Sequence, residues 1–302
     1  MIRVENISHS YQGKPAVTDI SFNVEKGEMF GLVGPDGAGK STLFRILTTL
    51  ILPDKGNAYV NSVSIRGDYT QIRKSVGYMP GRFSLYQDLS VKENLKLFAT
   101  MFGTTIEENY KLIRDIYVQI EPFKNRKAGK LSGGMKQKLA LCCALIHKPD
   151  VLFLDEPTTG VDPVSRKEFW QMLDRLRKQG ITIMVSTPYM DEAVLCDRIG
   201  FIKEGRLFNV DRPEQILKSF PYDIISVKSG KMHGIKDIVK DIEGVDDVYS
   251  FGEYFHLRTV PGAQQMALQI YEALSKNGYG EIVIKPVKPT IEDCFIYAVD
   301  RV

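Results

Sequence analysis

The sequence predicts an α/β core followed by a small α+β domain, and three observations carry that prediction. Residues 34–42 read Gly-Pro-Asp-Gly-Ala-Gly-Lys-Ser-Thr, a full G-x-x-x-x-G-K-[ST] phosphate loop. It stands between an apolar run, Met29 to Val33, and a helix-like segment, Thr42 to Leu50. Val151 to Glu156 reads Val-Leu-Phe-Leu-Asp-Glu, continuously apolar as a parallel strand covered on both faces should be, and ends in two acids. Beyond Pro221 the pattern changes to a β-α-β-β-α-β rhythm. At 302 residues the chain exceeds one ordinary core, so one large and one small domain are expected.

From the N-terminus, residues 2–33 alternate short apolar strands with turn signals at Gln12-Gly13-Lys14-Pro15 and Glu25-Lys26-Gly27. In the phosphate loop, Gly34, Gly37 and Gly39, with Pro35, Asp36 and Ala38 between them, let the backbone curl so that successive N–H groups point inward. The helix N-terminus adds partial positive charge. Lys40 would reach the β- and γ-phosphates, the Ser41 hydroxyl would hold Mg²⁺, and Thr42 continues the helix. Gly-rich strand-to-helix turns also occur as packing devices, which explains the glycines but not Lys-Ser at the required offset. The chain is therefore expected to bind a nucleoside triphosphate.

Val91 to about Lys124 turns helical, with Leu95, Leu97, Phe98 and Met101 grouped first, then Ile106, Leu112, Ile116 and Ile120. Leu131-Ser132-Gly133-Gly134-Met135-Lys136-Gln137 opens a helix that runs through His147. Ser132, Gly133 and Gly134 make a second N–H cradle suited to phosphate, although an ordinary Ser-capped helix start fits these few residues equally well. At the end of the next strand, Asp155 can hold Mg²⁺ through water, and Glu156 can polarise the water that attacks the γ-phosphate. Asp-Glu alone is more often a solvated turn; the phosphate loop upstream makes that reading a poor one. Val164 to Lys178 reads as a helix with Pro163 in its first turn, and Ile181 to Thr187 as a strand.

Phosphate loop, Leu131–Gln137 motif and Asp-Glu strand, in that order, resemble the ATP-binding cassette (ABC) transporter ATPases over residues 1 to about 215. The resemblance implies a P-loop ABC cassette with a mixed-sheet core, an antiparallel β subdomain built from the N-terminal strands, and a helical subdomain at about 85–147. It makes Leu131–Gln137 the family signature, which in one subunit closes over ATP held by the phosphate loop of another. Pro157-Thr158-Thr159-Gly160-Val161-Asp162-Pro163 matches the D-loop, with Asp162 in place, and Tyr11 matches the residue that stacks on adenine. Without the resemblance, one Tyr in a strand is more often core or edge packing. ATP hydrolysis with Mg²⁺, a second ATPase subunit in a homo- or heterodimer, and separate membrane permease subunits are implied. The helical subdomain is the part that normally touches the membrane partner.

The cassette is expected to close with a helix to about Phe220, giving domains 1–220 and 221–302. Asp223–Val227, Ile235–Ile242, Val245–Phe251, Tyr254–Arg258, Ala263–Asn277 and Glu281–Lys285 supply the rhythm of a ferredoxin-like split βαβ domain. The tail Pro289-Thr290-Ile291-Glu292-Asp293-Cys294-Phe295 resembles the closing motif of the accessory domain on ABC-2 type exporter ATPases. No catalytic constellation stands out in this domain, and His233 and His256 read as surface or strand residues rather than ligands. A regulatory or dimer-supporting role is expected.

Composition sets further bounds. Hydrophobic content of 43% and charged content of 25% are those of a soluble globular protein, and a net charge of +3 is too small to argue for nucleic acid. The four cysteines, Cys142, Cys143, Cys196 and Cys294, lack metal spacing and read as reduced, packed thiols of a reducing compartment. The N-terminus carries no signal-peptide apolar region, and no apolar stretch approaches the ~20 residues that span a bilayer. A cytoplasmic protein, peripheral on the inner face of the membrane, is expected.

Two positions depart from the family. Gly81, in Tyr78-Met79-Pro80-Gly81-Arg82, stands where a Gln usually contacts Mg²⁺ and the attacking water. Pro188, in Ser186-Thr187-Pro188-Tyr189, stands where a switch histidine contacts the γ-phosphate. Each loss corresponds to about 3 kcal/mol, or roughly 10²–10³ in rate, unless neighbours such as Arg82 and Tyr189 compensate. Three functions compete: the ATPase of an ABC-2 type exporter, a soluble ABC ATPase of translation or DNA maintenance, and a nucleotide-gated regulator with weak turnover. One cassette, with no room for a long coiled coil between Lys40 and Leu131, disfavours the second. Intact Lys40, Asp155 and Glu156 disfavour the third.

Overall fold

The computed structural model describes residues 1–262 and 266–301 and divides at Pro213/Glu214 into two units, the boundary falling ahead of Pro221. The reason lies in the connecting helix, α8 (Pro213–Lys218): Ile216 is buried, and its carbonyl lies 3.8 Å from the Cys294 thiol, near the C-terminus.

In the first unit, β1 (Ile2–Tyr11) and β2 (Lys14–Val24) pair antiparallel around Gln12-Gly13, both at positive φ, as a two-residue hairpin of right-handed strands requires. They join β4 (Lys55–Val60) and β5 (Val63–Ser64) in a four-stranded sheet ordered β2-β1-β4-β5. The third N-terminal strand, β3 (Met29–Val33), enters a second sheet instead. Its order is β10-β9-β3-β8-β7-β6, with β6 (Val76–Met79), β7 (Val151–Asp155), β8 (Thr182–Thr187) and β9 (Arg198–Lys203) parallel to it. Only β10 (Arg206–Asp211) at one edge runs antiparallel. Every residue of β3, β7 and β8 is buried, the pattern of strands covered on both faces. Ligands of such sheets bind beyond the carboxyl ends of the strands, where Gly34 and Glu156 stand.

The helical stretch from Val91 is two helices. α3 (Val91–Met101) and α4 (Ile106–Tyr117) are separated by Gly103 at φ 68°. Each begins with a reciprocal capping box, Ser90 with Glu93 and Thr105 with Glu108, which fixes the break in register. A short 3₁₀ turn, Glu121–Phe123, follows. Both helices pack on α5 (Gly133–Leu145), which ends two residues short of His147. α1 (Lys40–Leu47) starts at the lysine and stops before Thr49, whose φ of 60° ends the helix. α2 (Tyr69–Ser75), α6 (Pro163–Lys178) and the short α7 (Met190–Ala193) complete the unit.

The second unit carries β11 (Asp223–Lys228), α9 (Ile235–Val239), β12 (Val245–Phe251), β13 (Tyr254–Thr259), α10 (Met266–Lys276), β14 (Val283–Val287) and α11 (Ile291–Val299). Its sheet is ordered β12-β13-β11-β14 with every neighbour antiparallel. Of the helix expected at Ala263–Asn277, Ala263–Gln265 lie outside the described residues. α9 ends at Val239, short of the expected Ile242. The last strand begins at Val283 rather than Glu281, because Glu281 has φ 52°, outside the range of a strand. All four cysteines are free and buried, and burial raises each thiol pKa, that of Cys294 to about 12.

Candidate nucleotide site and its surroundings

The phosphate loop leaves β3 under tight steric control. A Cβ on Gly34 would lie 2.0 Å from the Ile202 carbonyl oxygen, and one on Gly39, at φ 102°, 2.4 Å from that of Ala16. Only glycine fits at either point. Gly37, at φ 77°, faces open space, so a ligand can approach its backbone closely. Pro35 accepts from the Ala38 N–H, and Ala38 is tied to the β9–β10 turn by the N–H of Gly205.

Lys40 is almost wholly buried. Its Nζ lies 2.8 Å from the Gly34 oxygen, 2.9 Å from the Pro35 oxygen and 3.0 Å from Glu156 Oε1, while Asp36 stands at 4.0 Å. The ammonium is thereby held at the centre of the loop, ready to exchange these acceptors for phosphate oxygens. Tyr11, Gly37, Gly39, Lys40, Ser41 and Glu156 share a pocket of ≈ 180 Å³, into which Thr42 also reaches. Tyr11 is exposed at the end of β1, its ring set edge-on to His9 with centroids 4.8 Å apart.

Asp155 closes β7 and is buried. Ser186 Oγ donates to its Oδ1 at 2.7 Å. The Glu156 N–H donates to Ser186 Oγ and O, and Glu156 itself sits at φ 49°, a left-handed conformation unfavourable for a residue with a side chain. A Cβ on Gly81 would lie 3.2 Å from Asp155 O and 3.7 Å from Oδ2. A side chain at position 81 would therefore stand beside the acid, and glycine leaves that place to others. Burial and the neighbouring Asp155 carboxylate push the Tyr78 hydroxyl up to about 12, so it stays neutral. Ser41 and Asp155 offer hard oxygen donors, a set that suits Mg²⁺.

Ser132, Gly133, Gly134 and Asp162 do not line the phosphate pocket; they lie against one another. A Cβ on Gly133 would meet Gly160 O at 3.5 Å, and one on Gly134 would clash with Ser165. Ser132 caps α5 through the Met135 N–H, and Asp162 caps α6 through that of Ser165, a bond that holds the Asp162 carboxyl below the usual range. Tyr189 is engaged elsewhere, with the Arg166 guanidinium 4.2 Å over its ring.

Sequence reading missed a buried carboxylate here. Glu192 accepts from Thr158 at 2.6 Å and from Thr187, with Arg166 at 3.5 Å. The only signal was a pair of hydroxyls flanking two apolar strands. His256 lies on β13, in line with the strand reading, and is buried and bonded to Asp293 at 2.7 Å, as is Tyr249 at 2.8 Å.

Comparison with known proteins agrees with this geometry. The ABC transporter family model matches residues 17–159. The probable multidrug ABC transporter ATP-binding protein YbhF of Escherichia coli is 38% identical over 72% of this chain. The chain spans only 38% of that protein's length. The linearmycin resistance ATP-binding protein LnrL of Bacillus subtilis is 34% identical over 82% of this chain and 81% of its own. A dimeric ATP-binding cassette, MJ0796, in a post-hydrolysis state with ADP and Pi, is 27% identical. It superposes with a TM-score of 0.64 over 70% of this chain and 98% of its own.

Proposed function

Because the chain belongs to the ABC transporter ATP-binding family, whose cassettes bind and hydrolyse ATP, we propose that it is the ATPase subunit of an exporter whose membrane subunits are separate polypeptides. The observation that carries this reading is the convergence of Lys40, the phosphate loop and Glu156 in one pocket. Lys40 neutralises the phosphates, the loop N–H groups and the start of α1 orient them, and Tyr11 stacks on the base. Glu156 orients the attacking water and takes its proton. Ser41 and Asp155 would hold Mg²⁺, which offsets the charge of the phosphates. Ser132–Gly134 and Asp162 serve a partner cassette's ATP. No helix among the described residues is long and apolar enough to cross a membrane. A cleft of ≈ 250 Å³ lined by Leu50, Tyr78, Phe98, Phe102 and His147 would take the permease on the cytoplasmic face. Relatives named as a probable multidrug ABC transporter ATP-binding protein and as Nod factor export ATP-binding proteins favour an exporter, with selectivity residing in the membrane subunits. The second unit, whose strand order is that of a ferredoxin-like domain, would regulate or support the dimer.

Gly81 and Pro188 favour a second reading of the partner: an asymmetric pair in which a different cassette supplies the fully equipped site. The experiment for the main reading is Glu156→Gln in the complex purified from membranes, with every subunit identified. Turnover should vanish with ATP binding intact. Turnover at the wild-type rate, or a preparation without a membrane-spanning subunit, overturns it.

A further inference from the structure

We propose that Glu192, outside every motif used above, is the positioning residue that holds Glu156 against the phosphate loop. The proposal rests on Glu156 acting as the base. Glu192 is 1% exposed, on the short helix α7, yet both of its carboxylate oxygens accept hydrogen bonds. One accepts from Thr158 Oγ1 at 2.6 Å and the other from Thr187 Oγ1; both threonines are buried. Arg166 Nε stands 3.5 Å from the first oxygen.

The two hydroxyls come from segments that follow or end different strands, β7 and β8. Thr158 follows Glu156 by two residues. Thr187 ends β8, and its carbonyl accepts from the N–H of Gly34, the first residue of the phosphate loop. Ser186, its neighbour, bonds both Asp155 and the Glu156 N–H. One carboxylate thus closes a ring running Thr187, Glu192, Thr158, Glu156 and Ser186, to which Gly34 is joined through the Thr187 carbonyl. A carboxylate is the fitting clamp, since it only accepts and so draws both hydroxyl protons toward itself. The left-handed backbone of Glu156 persists only where its surroundings determine it, and the ring supplies that restraint. Here Pro188 leaves no side-chain donor between Thr187 and Tyr189, so the clamp and the Ser186 bonds are what tie this segment to the base.

The test compares Thr158→Val, Thr158→Ser and Glu192→Gln in the complete chain within its native complex, alongside Glu156→Gln. Thr158→Val keeps shape and removes the donor. It should lower kcat by roughly ten- to a hundredfold with the KM for ATP nearly unchanged, while Thr158→Ser restores kcat. Glu192→Gln, which keeps one acceptor oxygen, should fall between. Without nucleotide, amide exchange at residues 156–161 should quicken in Thr158→Val and not in Thr158→Ser. A wild-type kcat in Thr158→Val, or equal loss in the Ser and Val variants, overturns the clamp while a dead Glu156→Gln leaves the base intact. Wild-type kcat in Glu156→Gln overturns both.

Discussion

Lys40 is a buried cation whose neighbours are all oxygens, so its removal leaves the loop without its point charge. Lys40→Ala should weaken ATP binding by about 2–3 kcal/mol, a typical value for hydrogen bonds to a charged group. Tyr11→Ala, losing one ring face, should cost about 1 kcal/mol. Titration with a fluorescent ATP analogue separates the two, and equal affinities in wild type and Lys40→Ala would remove the phosphate-loop assignment. Gly34 offers a sharper steric check. Its missing Cβ would overlap the Ile202 carbonyl, and backbone cannot swing aside as a side chain can. Gly34→Ala should therefore lose about 1–3 kcal/mol, read as a lowered Tm of the first unit.

At the scale of elements, two histidines illustrate opposite environments. His147 follows α5, donates from Nε2 to the Val76 carbonyl of β6 at 2.9 Å, and stacks on Phe102. Burial lowers its pKa, although the bond to Val76 works the other way. A group with a depressed folded value contributes stability above its unfolded pKa, about 6.5 for His, and loses it as pH falls through the folded value. The first unit should thus become less stable from about pH 6.5 downward. Denaturant titrations across that range should show a flatter pH dependence in His147→Gln; an unchanged slope would refute the assignment.

His256 belongs instead to the network that closes the second unit. Asp293 caps α11 through Thr290 and accepts from His256 and Tyr249. Burial alone would raise its carboxyl pKa, but these bonds outweigh burial and hold it below the ordinary value. Its contribution is present above about pH 4 and is lost as pH falls through the lower, folded value. Asp293→Ala leaves the donors of three residues, Tyr249, His256 and Thr290, without their acceptor and should destabilise this unit by about 2–4 kcal/mol, measurable by thermal unfolding.

At the scale of the whole molecule, the positions that depart from the family gather on one side of the proposed composite site. Position 81 adjoins Asp155, and Pro188 follows Thr187, while Tyr189 is occupied by Arg166. The signature and Asp162, which would serve a partner's nucleotide, are well formed and capped. The chain alone should therefore hydrolyse ATP weakly, with a sharp rise on addition of a cassette that carries Gln and His at the corresponding places. Vigorous cooperative hydrolysis by the homodimer alone would exclude the asymmetric pair.

What sequence could decide here follows from locality. The phosphate loop, the buried β7 strand, and the capped starts of α5 and α6 each depend on neighbours within a few residues, so their chemistry shows in order and spacing. The late start of β14 was less legible, because a single positive-φ residue, Glu281, decided it. The sheet partner of β3 was not legible at all. Tertiary structure alone brought Lys40 to Glu156, set Gly134 on Ser165, and placed Glu192 between Thr158 and Thr187. Those contacts join segments far apart in the chain through single side chains, and a single side chain leaves no period in a sequence to read.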